Sequence, residues 1–230
     1  MDINEKKNLV NSYNKWFHSI DFGDGVISKG VKTLQTVSNE FKQWNFPSNY
    51  FKNKTVLDIG AWDGIHSFYA EENGAKSVTA LDGFIWADKC WASKKGFDIA
   101  KKIKKSKVKE LIMDIETPEF NESNIGQFDC IIFAGVFYHL KNPLGIIEKL
   151  SKIIKPGGSL FIETTCSNNL EQIKKPLLEF HPKNSLNNDS SNYFTANSLC
   201  IKKMLEEFDF KVDKIYPVSF DTRLVVYCTR

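Results

Sequence analysis

The stretch VLDIGAWDGIHSF, residues 56–68, opens as an apolar run carrying one acid, turns on Gly60 and Gly64, and closes as the start of a helix. A short apolar run bounded by turn residues reads as a buried strand. A strand entering a helix through glycines lets a ligand lie against the backbone, because glycine has no Cβ. Here Trp62 stands between the glycines, where a nucleotide fold usually sets another glycine. Which ligand tolerates an indole there is decided by the rest of the chain.

Outward from this turn the pattern alternates. TVLDI (55–59) reads as a strand, IHSFYAEENG as a helix ending at Gly74, and SVTALD (77–82) as a second strand. Residues 86–104 read as a helix, KELIMD (109–114) and FDCIIFAG (128–135) as strands, and NPLGIIEKLSKII (142–154) as a helix stopped by Pro156-Gly157-Gly158. SLFIET (159–164) is a fifth strand, followed by a helix over about 195–208 and the late strands KVDKIYP and TRLVVYCT. Strands alternating with helices predict an α/β, Rossmann-like, seven-stranded and mostly parallel sheet with helices on both faces. The last two strands lack a helix between them, so the last is expected to run antiparallel.

Residues 1–50 are expected to form an N-terminal helical cover, or lid, over a ligand-binding domain of residues 51–230. Leu9, Tyr13, Trp16 and Phe17 recur at helical spacing, FGDG (22–25) makes a turn, and a second helical stretch covers about 30–44. The polar segment 166–194 reads as a loop or lid.

Composition bounds the function. The chain has 230 residues, 42% of them hydrophobic and 26% charged, enough for one α/β domain. No apolar run approaches the ~20 residues of a membrane span, and the polar N-terminus does not resemble a secretory signal. The five scattered cysteines argue against a zinc site or disulfide framework and for a cytoplasmic setting. A net charge of +3 does not by itself imply nucleic acid. The run KKGFDIAKKIKKSKVKE (94–110) could be a phosphate-binding stripe, but reads first as a solvated helix face with Phe97, Ile99 and Ile103 turned inward.

In open α/β sheets the ligand sits beyond the C-terminal ends of the strands. Those ends carry Asp58 with the Gly60-Ala61-Trp62 turn, Asp82 with Gly83 and Phe84, Asp114 with Ile115, and Ala134 with Tyr138 and His139. Asp82 is suited to accept hydrogen bonds from the two hydroxyls of a ribose. Dinucleotide folds use G-x-G-x-x-G to hold a pyrophosphate on a helix N-terminus, whereas this turn is G-x-x-x-G. S-adenosylmethionine has no phosphate, so Trp62 is tolerated, and its cationic groups favour a carboxylate such as Asp58. The expected cofactor is therefore S-adenosylmethionine rather than NAD.

VLDIGAWDG, TALDG, FDCIIFAGVFYHLKNPL and KPGGSLFIET together resemble class I S-adenosylmethionine-dependent methyltransferases. The likeness is to the group with the tRNA wobble-uridine carboxymethyltransferases and shorter bacterial relatives with a GAWDG turn. WFHSIDFGDGVISKG (16–30) is similar to the N-terminal segment of those shorter relatives. The resemblance implies cofactor contacts at Gly60, Asp82, Gly83, Phe84, Asp114, Ile115, Ala134 and Tyr138, and a late arginine at Arg223. The tRNA enzymes also carry a lysine that helps hold a carboxylated cofactor; it has no convincing counterpart near His18 to Asp21.

Candidate chemistry follows. Histidine is the natural base for a hydroxyl near neutral pH, so His139 and His18 are candidate bases, and His139, Tyr138 and His18 are the candidate catalytic residues. Trp16, His18 and Arg223 are candidate substrate residues, the last as a rigid fork for an anionic acceptor or as a bridge to Asp221 or Glu163. Phe84 is expected as an adenine wall and Trp86 as core. No metal is expected, since the carboxylates are not clustered for Mg²⁺. The expected activity is methyl transfer to a small-molecule or sugar acceptor, on oxygen, with no membrane partner. A tRNA-modifying transferase and a non-enzymatic S-adenosylmethionine- or NAD-binding module are the alternatives.

Overall fold

The computed structural model describes residues 1–87, 90–219 and 222–230, without the side chains of Asn168 and Leu170. The chain divides into two compact units, Met1–Asp114 and Ile115–Arg230.

The first unit contains α1 (Ile3–Asn11), α2 (Leu34–Trp44), β1 (Thr55–Ile59), α3 (Ile65–Glu72), β2 (Ser77–Leu81), α4 (Lys95–Lys104) and β3 (Lys109–Leu111). β1 pairs with β2 and β2 with β3, all parallel. Val56, Leu57 and Ile59 are buried, which accounts for an apolar run in place of an alternating one. On α4, Phe97, Ile99 and Ile103 are buried. Its lysines face outward, Lys104 to Glu72 and Lys101 to Glu110. The basic run is thus a helix face whose charges are partly met by carboxylates.

Three helices are shorter than the periodicity predicts. The first ends at Asn11, so Tyr13, Trp16 and Phe17 lie outside it. The amides of Phe17 and His18 go instead to the Asp63 carboxylate, and bridges join His18 to Lys32 and Asp21 to Ile27. The stretch expected over 86–104 is helical only from Lys95, and Asp88 and Lys89 lie outside the described residues. Upstream, Asp82 accepts the Phe84 and Ile85 amides, which holds a turn. The second N-terminal helix starts at Leu34 on the Thr33 cap, leaving Val31 exposed.

The second unit contains α5 (Glu122–Ile125), β4 (Phe128–Ala134), a 3-10 turn at Phe137–His139, α6 (Pro143–Ile153), β5 (Ile154–Thr165), α7 (Asn168–Glu171), β6 (Leu178–Phe180), β7 (Phe194–Ala196), α8 (Ser198–Glu206), β8 (Lys211–Val218) and β9 (Arg223–Thr229). α6 starts at Pro143 on the Asn142 cap, whose side chain accepts the Gly145 amide. The seven-stranded sheet has the order β3-β2-β1-β4-β5-β9-β8, with β9 antiparallel to both neighbours. This is the expected Rossmann-like sheet, with helices around it.

Pro156-Gly157-Gly158 does not stop α6, which passes directly into β5 at Ile154. The glycines sit inside the strand: Gly157 takes φ +74°, and the Gly158 carbonyl accepts the Arg230 amide. Segment 166–194 is not wholly loop, since β6 and β7 pair as a separate antiparallel ribbon. His181, in this segment, is bonded through Nε2 to Thr195 Oγ1 at 2.8 Å. The late helix begins at Ser198 rather than near 195, because Phe194–Ala196 is drawn into that ribbon.

Candidate active site

The turn after β1 places one carboxylate beneath it and one inside it. Asp58 is fully buried; Ser67 donates to its Oδ2, while Oδ1 has no partner among the described residues. Burial lifts this carboxyl to about 7, against the Ser67 hydrogen bond and with help from nearby Asp82 and Asp63. A buried carboxylate oxygen without a donor suits a cationic amine, so the residues present fit S-adenosylmethionine. Gly60 adopts φ +77° and its amide donates to the Leu81 carbonyl, which turns the chain tightly after β1.

Gly64 serves packing. A Cβ there would lie 2.6 Å from the Phe68 ring and 2.7 Å from that of Phe97. Between the glycines Ala61 is buried, and Trp62 takes φ +50° and stacks on Phe17 at 4.2 Å. Trp91 lies 5.6 Å beyond it and is half exposed. The Trp62 indole nitrogen is buried with no partner among the described residues.

After β2, Asp82 accepts from the Phe84 and Ile85 amides through Oδ1 and from the Trp62 amide through Oδ2. Burial raises its carboxyl, which those amides oppose. The loop-organising role that competes with ribose binding is therefore present, and Oδ2 keeps acceptor capacity beside it. Gly83 packs on the end of β3; a Cβ would fall 2.2 Å from the Met113 carbonyl oxygen and 2.4 Å from the Asp114 amide. Phe84 is 47% exposed, open to a ligand face, whereas Trp86 is buried and donates to the Trp62 carbonyl at 2.6 Å.

The N-terminal segment is tied to the turn by Asp63, which the sequence reading did not single out. Its Oδ2 accepts the Phe17 and His18 amides at 3.1 and 2.7 Å, and its Oδ1 lies 2.6 Å from His18 Nδ1. Trp16 is buried and its indole donates to the Val10 carbonyl, so it packs the segment from inside.

In the second unit Ile115 and Ala134 are buried. His139 Nδ1 lies 3.0 Å from both the carbonyl and the hydroxyl oxygen of Ser191, and burial pushes its pKa down. The Arg223 guanidinium sits 5.0 Å from the centre of the Tyr138 ring and forks onto Glu163 through Nε and Nη2. Of its two bridging partners expected from sequence, Glu163 is the one found; Asp221 lies outside the described residues. Burial raises the Tyr138 phenol.

The methyltransferase domain family matches residues 36–215. A tRNA U34 carboxymethyltransferase of Helicobacter acinonychis is 27% identical over 171 residues, covering 73% of this chain and 61% of the relative. A mitochondrial ubiquinone biosynthesis O-methyltransferase of Dictyostelium discoideum is 34% identical over 111 residues, 47% of this chain and 34% of the relative. The chain thus spans less than two thirds of the length of these curated relatives. The N-terminal domain of EvdMO1, solved in the presence of SAH and D-fucose, covers 100% of this chain and 97% of its own at a TM-score of 0.68 and 17% identity. The family match over most of the chain leads to one conclusion: the chain belongs to the methyltransferase domain family.

Proposed function

We propose that the enzyme methylates a hydroxyl of a small molecule of sugar type. The observation that carries this reading is that two imidazoles, His18 and His139, are each held through Nδ1. A ring fixed at one nitrogen offers the other for proton transfer, and an alcohol is the acceptor that needs its proton removed. The cofactor supplies an electrophilic methyl group on sulfonium. The chain's part is alignment: Asp58 is assigned to the cofactor amine, Asp82 to its ribose, Gly60, Ala61 and Trp62 to the backbone cradle, and Gly83, Phe84, Asp114, Ile115, Ala134 and Tyr138 to the adenine side.

Arg223 gives Nε and Nη2 to Glu163, which favours a bridging role over anchoring an anionic acceptor. Residues 1–50 act as a cover, with the Phe17–Trp62 stack as its seat. The fold neighbour solved in the presence of D-fucose makes sugars the acceptors to test first. Methyl-labelled S-adenosylmethionine incubated with the protein and a glycan or metabolite extract should yield a labelled O-methyl product by mass spectrometry. A labelled base in tRNA instead would reverse the assignment.

That second reading is favoured by the tRNA U34 relatives. Binding of tRNA that weakens steeply with salt would support it, because phosphate contacts release counterions.

A further inference from the structure

We propose that His18 is the catalytic base of this methyl transfer and that Asp63, inside the glycine turn, sets its tautomer. The inference rests on the hydroxyl-acceptor reading above and assigns its chemistry to one residue.

Asp63 is buried and receives three donors from two adjacent residues: the Phe17 amide, the His18 amide and His18 Nδ1. A carboxylate only accepts, so Nδ1 carries a hydrogen and the lone pair lies on Nε2. Nε2 has no hydrogen-bond partner among the described residues. The same carboxylate stabilises the imidazolium formed when Nε2 takes a proton. This is the orienting role of the acid in a Ser-His-Asp triad.

His139 lacks that support. Its Nδ1 meets Ser191 oxygens and burial disfavours its cation. The other groups around His18 are His66 on α3, 5.5 Å away ring to ring, and Lys32 across the backbone bridge. Burial, and then the neighbouring His18 and Lys32, hold His66 well below its ordinary pKa, so it stays neutral. The Trp62 indole N–H, buried and unpartnered, belongs to the same turn as Asp63 and is a donor awaiting a ligand oxygen.

One carboxylate therefore couples two events. Docking the N-terminal segment places the Phe17 and His18 amides on Asp63 and, in the same act, orients the base. The transfer balances as follows: the acceptor O–H bond breaks with its proton passing to His18 Nε2, the oxygen pair forms the O–CH₃ bond, and the S–CH₃ pair remains on sulfur as S-adenosylhomocysteine.

The test combines structure-level probes with turnover. ¹⁵N NMR of histidine-labelled protein above the imidazole titration should show His18 Nε2 as the unprotonated nitrogen. Both imidazoles are nearly buried, so diethyl pyrocarbonate labelling with peptide mapping is read as His18 modification relative to His66. In Asp63→Asn the amide oxygen can keep the backbone donors while its NH₂ faces Nδ1, so the tautomer should flip and His18 labelling should fall at least tenfold. His18→Gln should cost ~10²–10⁴ in kcat and remove the acidic limb of the pH profile, with S-adenosylhomocysteine affinity within threefold of wild type. A protonated Nε2 in the wild type, or His18 labelling unchanged in Asp63→Asn, overturns the proposal whatever the acceptor. Should the probes behave as expected while the labelled product carries its methyl on a base nitrogen or carbon, the hydroxyl reading fails and the base role fails with it, leaving Asp63 as a clamp.

Discussion

Glu163 meets Arg223 with both carboxylate oxygens, one on Nε and the other 2.6 Å from Nη2, diagonally across β5 and β9, where Glu163 pairs with Val225 and Arg223 with Thr165. Glu163 is buried and the Arg223 side chain is 24% exposed, so the pair sits where removing one partner strands the other. Burial works against the guanidinium charge, and Glu163 more than offsets it, raising the Arg223 pKa.

Arg223→Ala should therefore lower stability by about 3 kcal/mol, read by urea denaturation. Arg223→Lys should recover only part of this, because an ammonium cannot fork onto both oxygens. Stability unchanged in both variants, with the Michaelis constant of the acceptor raised, would return Arg223 to the role of substrate anchor.

Asp58 makes stability depend on pH. Its folded-state pKa, about 7, lies above the ordinary 3.8 because of burial. Between about pH 4 and 7 the folded state keeps a proton that the unfolded chain has released, so stability falls as pH rises through that window. The loss reaches roughly 4 kcal/mol and persists above pH 7. Asp58→Asn should flatten this slope and raise the melting temperature at pH 8 in the absence of cofactor, while weakening S-adenosylhomocysteine binding. Calorimetric binding near pH 6 should also release protons from Asp58 in the wild type and none in the variant. An unchanged pH slope in Asp58→Asn would contradict the assignment.

Asp82 organises its loop through three backbone amides, and one substitution tests the proposed ribose contact apart from that duty. Asp82→Asn can still accept the Phe84 and Ile85 amides through its oxygen, but its NH₂ would face the Trp62 amide and the ribose side. Titration calorimetry should show S-adenosylhomocysteine affinity weakened by ~1.5–3 kcal/mol with the fold retained. Full affinity would leave Asp82 as a loop organiser alone.

Gly64→Ala tests the packing role of the second turn glycine. The methyl would intrude on the Phe68 and Phe97 rings from a backbone at φ +86°. Strain and overpacking together should cost about 2–4 kcal/mol. A variant as stable as wild type would show that the rings move aside freely.

Local pattern carried the fold a long way. The apolar runs of β1, β4 and β5 and the helix-spaced residues of α4 and α6 are signals contained within single segments. The acid after β2 and the glycine turn after β1 are legible for the same reason: each sits at a fixed offset from a strand end. The N-terminal segment misled, because Tyr13, Trp16 and Phe17 have helical spacing although the helix ends at Asn11. The amides of Phe17 and His18 are taken by a side chain 46 and 45 residues away, a competitor that no local window contains.

Residue order alone dictates the alternation of strands and helices, the antiparallel finish and the turn suited to a phosphate-free cofactor. Those follow from periodicity and from the backbone freedom of glycine, which are properties of neighbouring residues. It takes the folded chain to reveal that Asp63 holds His18, that Gly64 makes room for two phenyl rings, and that Arg223 belongs to Glu163, 60 residues earlier. Each of these is a hydrogen bond or a steric exclusion between groups that do not adjoin in sequence. Their partners become neighbours only when burial of the apolar strands has already brought the segments together.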